Sequence, residues 1–237
     1  MNLLLEAFAW LADPASWSGP NGLGAQLAGH LVLSLAVVVA STLIGVPLGL
    51  LIGHTGRGRE LAVLATGGLR ALPTLGVLTL FALWLGIGVQ APFFALLILA
   101  IPSTLAGAYS GVEAVDRATV GAARSIGMTE LQIVTRVELP LALPTIIGGI
   151  RATVLQVVAT ATLAAYVGAS SLGSPVFLGL KTRDYGMMLG GSLLVIVLAL
   201  VLDGLFAVVQ RLVVPAGVRA SRSREHRDGR PARAAVG

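Results

Sequence analysis

Residues 187–210 read MMLGGSLLVIVLALVLDGLFAVVQ, an apolar run interrupted by one charge, Asp203. A helix of that length and composition crosses a bilayer, because a crossing takes about 20 apolar residues and the helix pairs its own backbone amides. Further apolar runs lie at residues 28–53, 60–86, 92–113 and 141–167. The chain of 237 residues is 56% hydrophobic and 11% charged, with a mean hydropathy of +0.90. These features describe an all-α integral membrane protein with about five transmembrane helices and little chain left for a separate soluble catalytic domain.

The runs carry internal marks. Arg70 and Pro73 interrupt the second one, and Pro removes a backbone donor while disfavouring helix in the residue before it, so a break is expected there. A broken helix at membrane depth belongs against protein or a watery cavity, so residues 70–74 are expected to face the bundle interior or a pathway. Arg151 and Asp203 each stand about eight residues, roughly 12 Å of helix, from the same end of their runs, which predicts an ion pair between the last two helices. Gly45, Gly49 and Gly53, and again Gly186 and Gly190, recur at helical spacing and predict close helix approaches within the chain.

Charge sets the expected orientation. With five crossings, Arg57, Arg59, Arg117, Arg124, Arg136 and a basic tail share one side, while the other holds only Lys181 and Arg183. The Arg-rich side is expected to be cytoplasmic in a plasma (inner) membrane, which places the N-terminus outside and the C-terminus inside. Residues 1–27 then form an external segment whose first ten residues, with Glu6 and no basic residue, read as an interfacial helix and not as a cleaved signal peptide. Trp10 and Trp17 fit the headgroup level. Residues 28–213 form the membrane domain. Residues 214–237 form the cytoplasmic tail, which belongs to the solvated end of a membrane protein and not to a nucleic-acid binder. Lys181, Arg183, Asp184 and Tyr185 fall on the external face, where a docked protein would meet the chain.

Several chemistries have no residues to carry them. Cys is absent, and His30, His54 and His226 are scattered, with His54 reading as a loop residue, so no metal site, cofactor or catalytic residue is expected. No GxxxxGK[ST] pattern occurs, so any nucleotide chemistry must come from another polypeptide.

Residues 114–140, AVDRATVGAARSIGMTELQIVTRVELP, are too polar to cross and too well punctuated for an ordinary loop. Asp116 is placed to cap a short helix that stops at Gly127, and Thr129 with Gln132 opens a second by a capping box. That second helix is expected to end at Leu139 and Pro140. Ala122 and Ala123 give the first a small-residue face that another protein could approach. The outline also fits a DNA-binding helix-turn-helix, but a recognition helix tethered to membrane spans at both ends could not readily enter a major groove.

Gly121-Ala122-Ala123, Gly127, Val137 and Leu139-Pro140 together resemble the EAA loop of permeases in binding-protein-dependent ABC importers. The resemblance runs from about His30 to Pro215. Within it, RVELPLALPTIIGGIRA and ATATLAAYVGASSLG look like permeases of the osmoprotectant subfamily, which carry glycine betaine, choline, carnitine and similar quaternary amines. It implies a MetI-like permease fold whose two short cytoplasmic coupling helices dock on an ATP-binding subunit through Gly121, Ala122, Ala123, Gly127, Met128, Thr129, Glu130, Leu139 and Pro140. It further implies an extracytoplasmic solute-binding protein and a second permease subunit, identical or related. The Glu that names the motif is Gly121 here. Permeases for methionine share the architecture, and a secondary transporter, with Arg70, Arg151 and Asp203 as its working ions, is the alternative from another class. Quaternary amines are usually held by several aromatic faces, yet aromatics are 5% of the chain and Trp84 is the sole Trp inside a run, so the selective cage is expected in the binding protein.

Overall fold

The computed structural model describes residues 2–213, and for Leu61, Ala65, Arg70 and Val213 the backbone alone. The tail 214–237 and the side chain of Arg70 therefore lie outside the described residues. The helices in chain order are α1 (Leu3–Ala12), α2 (Pro14–Trp17), α3 (Leu23–Thr55), α4 (Arg59–Ala71), α5 (Thr74–Leu85), α6 (Gln90–Glu113), α7 (Arg117–Ser125), α8 (Glu130–Ile133), α9 (Leu139–Thr160), α10 (Gly173–Thr182) and α11 (Tyr185–Val213). A π turn, Val134–Glu138, joins α8 to α9, and a 3-10 stretch, Ala161–Val167, extends α9. Among the described residues, four helical segments are long and apolar enough to cross a membrane: Leu23–Thr55, Gln90–Glu113, Glu130–Val167 and Tyr185–Leu212.

The fifth crossing is the broken one. α4 and α5 meet at an 88° bend around Leu72 and Pro73. Their crossing follows from the register of their neighbours. A Cβ placed on Gly49 would lie 2.6 Å from the Ala108 Cβ, one on Gly53 would lie 2.7 Å from the Val112 Cβ, and Gly45 faces Thr104. Both sequences advance in the same direction, so α3 and α6 run parallel, and α4–α5 must carry the chain back across between them. The bend itself does not face the interior of this chain's bundle, because Ala71, Leu72 and Pro73 are exposed and α4 and α5 lean chiefly on α6. Phe81 of α5 anchors that lean, with its ring 6.3 Å from and nearly parallel to Phe94 of α6.

The remaining spans alternate. Gly107 of α6 backs onto Gly149 of α9, and Gly111 onto Ala142, which makes α9 antiparallel to α6. Arg151 and Pro144 of α9 meet Asp203 and Gln210 of α11, which makes α11 antiparallel to α9. One apolar core joins these four, with Leu33 and Val37 of α3, Leu96 of α6, Val157 and Val158 of α9, and Leu198 and Leu202 of α11. Buried His30 holds the core closed at one level. Its Nε2–H donates to the Val158 carbonyl at 3.0 Å and its Nδ1 accepts the Leu172 amide at 3.3 Å, an arrangement that requires the Nε2–H tautomer.

The N-terminal segment is more than an interfacial helix. α1 lies along the start of α11, with Glu6 against Gly186 and the Trp10 ring 2.6 Å from a Cβ placed on Gly190. Both glycines therefore serve packing within the chain. α3 also begins earlier than the apolar run indicates, because residues 23–27, with the polar Gln26 among them, continue the helix ahead of it.

Candidate functional site

The ends of α3, α6 and α11 fall on one face of the bundle, and the elbow formed by α7 and α8 projects from that face. Asp116 accepts the Ala118 amide at 2.9 Å and so starts α7. Gly127, with φ of +86°, stops it; the Met128 amide reaches Ala123 O and the Gly127 amide reaches Arg124 O, a left-handed closure that glycine adopts without strain. Thr129 and Gln132 then exchange side-chain and backbone hydrogen bonds at 2.9 and 3.3 Å and open α8. A small core of Val115, Val120, Ala123 and Ile133, with Met128 and Val137 against it, makes the elbow a packed unit.

This packing corrects two expectations. Ala123 belongs to the elbow's own core, only 6% exposed, so it cannot present a face to a partner; Gly121 and Ala122 are exposed, and a Cβ on Gly121 would meet nothing within 4 Å. The second elbow helix does not end at Leu139 and Pro140. α8 is a single turn that passes through the π turn directly into α9, and Pro140 sits in the first turn of α9. The π turn already displaces the ordinary i to i−4 pairing there, so the missing proline N–H costs little.

The exposed surface of the elbow holds two apolar side chains that sequence reasoning passed over, Ile126 at 80% and Leu131 at 74% exposure. On the same elbow Arg124 and Glu130 form a two-pronged ion pair, with both bonds at 2.8 Å, and the carboxylate raises the Arg124 guanidinium above its usual range. Glu130 also faces His54, which is not a loop residue but part of the last turn of α3. Sequence alone gave no sign of that contact, which spans 76 positions.

Elsewhere, the structure brings Arg151 and Asp203 together and leaves Pro73 exposed. Lys181, Arg183, Asp184 and Tyr185 are exposed at the turn between α10 and α11, on the face opposite the elbow, and Asp184 caps α11 through the Met187 amide at 2.9 Å. Beside that turn lies an open cavity of about 590 Å³, lined by Trp10, Ser16, Asn21, Gln26 and Ser174 among others. Among the described residues no group of three His, Cys, Asp or Glu side chains could hold a metal ion.

Residues 45–215, which run from within α3 through both elbow helices to the end of α11, match the family described as binding-protein-dependent transport system inner membrane component. The chain belongs to this family. Permeases of this kind work with an ATP-binding subunit and a solute-binding protein in an inner membrane. The permease is similar to the choline transport system permease protein OpuBB of Bacillus subtilis, 33% identical over 190 residues, covering 80% of this chain and 88% of that one. It is also similar to the glycine betaine/carnitine/choline permease OpuCB of the same organism, 32% identical with the same coverage. The osmoprotectant import permease OsmW of Salmonella typhimurium is 33% identical over 198 residues, covering 80% and 91%. In fold, the permease matches the inward-facing MetNI methionine ABC transporter with a TM-score of 0.71 at 22% identity, over 81% of this chain and 96% of that chain.

Proposed function

We propose that this permease lines half of the translocation pathway of an ATP-driven importer for quaternary-amine osmoprotectants such as glycine betaine, choline or carnitine. The observation that carries the transport role is the elbow, a rigid projection with Gly121, Ala122, Ile126 and Leu131 exposed and with its root continuous with a membrane span. Two apolar side chains standing in water on a packed projection suit a protein partner. In this reading that partner is the ATP-binding subunit, and Gly121, without a Cβ, allows its close approach.

The elbow face is cytoplasmic because Arg57, Arg59, Arg117, Arg124 and Arg136 lie on it. The N-terminus is then external, the basic tail is cytoplasmic, and the α10–α11 turn faces the solute-binding protein. The substrate class rests on relatives whose names specify choline, glycine betaine and carnitine. A second permease subunit completes the pathway, and the aromatic cage that selects the amine belongs to the binding protein.

Reconstitution of the permease with its ATP-binding subunit and binding protein in proteoliposomes tests this. ATP-dependent uptake of labelled betaine, choline or carnitine, with no uptake of methionine, is expected. Uptake of methionine alone would remove the substrate assignment, and uptake that needs no ATP-binding subunit would remove the importer reading.

A further inference from the structure

His54, in the last turn of α3, presents each of its ring nitrogens to a carboxylate. Nδ1 lies 2.7 Å from Glu138 Oε2, and Nε2 lies 3.1 Å from Glu130 Oε2. Glu138 belongs to the π turn; its side chain is 1% exposed, and its Oε1 has no hydrogen-bond partner among the described residues. Glu130 starts α8 and accepts two hydrogen bonds from Arg124 of α7. Glu138, His54, Glu130 and Arg124 thus form one line of polar contacts from the buried root of α9 to the exposed elbow, passing through the end of α3.

The line fixes a proton count. A ring nitrogen is drawn to a carboxylate oxygen only when a proton lies between them. Glu130, already accepting twice from a guanidinium, is a carboxylate, so Nε2 must carry a proton. The short Nδ1–Glu138 contact then needs a second proton, held by either partner. With two protons shared between His54 and Glu138 both contacts attract. With one, a lone pair on one ring nitrogen faces an oxygen and that link opens.

The other charged groups of the neighbouring elements do not substitute. Arg59 of α4 pairs with Glu113 of α6 at 2.8 Å, Tyr109 of α6 is buried, and Arg57, Arg117 and Arg136 are exposed. None of these side chains makes a hydrogen bond or ion pair to His54 or Glu138 among the described residues.

We propose that His54 is a positioning residue of the coupling elbow: together with Glu138 it holds a two-proton strap that ties α7 and α8 to α3 and α9, and loss of one proton slackens the elbow and loosens the coupling of ATP hydrolysis to transport. The second half of this statement rests on the elbow being the ATP-binding subunit's docking site; the first half does not.

The chain has no Cys, so cysteines placed at exposed Gly121 and Leu51 accept a spin-label pair that reports the elbow-to-α3 distance in the full chain in lipid nanodiscs. Measurements at about pH 6 and about pH 9 compare the elbow at high and at low proton availability. Without further change, the label pair is expected to give one narrow distance at the lower pH and to lose it at the higher. Glu138→Gln supplies an amide N–H to Nδ1 and leaves a neutral imidazole to donate through Nε2, so it should stay narrow at both. His54→Ala should be broad at both. A distribution indifferent to pH in the otherwise unaltered chain, or a Glu138→Gln variant that follows pH or is as broad as His54→Ala, overturns the strap.

A second arm measures uptake per ATP hydrolysed in the full complex. The ratio should fall at the higher pH in the unaltered protein and hold in Glu138→Gln. A strap that responds to pH in nanodiscs, together with an unlabelled Ile126→Asp variant that still copurifies with the ATP-binding subunit, would instead reject the docking reading and leave the strap standing.

Discussion

Arg151 donates from Nε and Nη2 to the two carboxylate oxygens of Asp203, at 2.6 and 2.7 Å, and so fastens α9 to α11 at a depth where each charge alone would be costly. Breaking such a pair from one side leaves an uncompensated charge, whereas replacing both partners by apolar residues can be nearly neutral. Asp203→Leu should therefore lower the thermal unfolding temperature of the detergent-solubilised permease, and adding Arg151→Leu should restore most of the loss. If the double variant unfolds no later than the single one, the bridge does not act as a structural pair.

Gly49 is a close helix contact that added side-chain volume can test. Its missing Cβ leaves room for Ala108 Cβ and Leu105 O, each 2.6 Å from where a side chain would begin. Gly49→Val must part α3 from α6 and should destabilise the fold by about 1–3 kcal/mol, as overpacking does in tight cores. Gly148→Ala, where the same construction meets nothing within 4 Å, serves as the control and should unfold with the parent. Equal melting temperatures for the two would contradict the packing described for α3 and α6.

Loss of the His30 side chain would strand the Val158 carbonyl and the Leu172 amide inside the bundle and open a cavity beside Leu33. His30→Ala is expected to cost about 2–4 kcal/mol, from the unsatisfied groups together with the void. Unfolding monitored by a dye that reports newly exposed core should show it, and a shift indistinguishable from the parent would mean that the ring carries no such role.

The elbow allows fold and function to be separated. Gly121→Trp and Ile126→Asp alter exposed positions and should leave the unfolding temperature unchanged, because neither side chain would touch the elbow core. Both should abolish copurification with the ATP-binding subunit and cut ATP-dependent uptake at least about tenfold, as truncating a central contact of an interface does. Variants that bind and transport like the parent would show that this surface is not the docking face.

Much of this architecture was legible in the sequence, for a physical reason: in lipid the helix is the only local solution, so apolar runs at 28–53, 92–113 and 187–210 translate almost directly into α3, α6 and α11. The caps at Asp116 and Thr129 were equally readable, since both act within three residues of themselves. Long-range relations were the hidden part. The inward turn of Ala123 depends on Ile133 and Val120 closing over it, and the π turn that carries Pro140 into α9 has no short-range signature. The meeting of His54 with Glu138 depends on how α3 ends relative to α9, which no local pattern encodes. The break at Pro73 was legible but its direction was not, because proline announces a break without telling which way it faces.

The path from Glu130 through the π turn to Val167 is helical throughout, 38 residues without an intervening loop. At 1.5 Å per residue it is roughly 57 Å long. Its far end takes the Gly88 amide on the Val167 carbonyl at 3.1 Å. The foot of this shaft at the elbow and its hydrogen bond beside the outer end of the broken span thus lie on opposite sides of the bilayer yet on one unbroken helical path, with the π turn and the 3-10 stretch as its two irregular segments. Its two ends therefore belong to one rigid rod, not to parts joined by a loop.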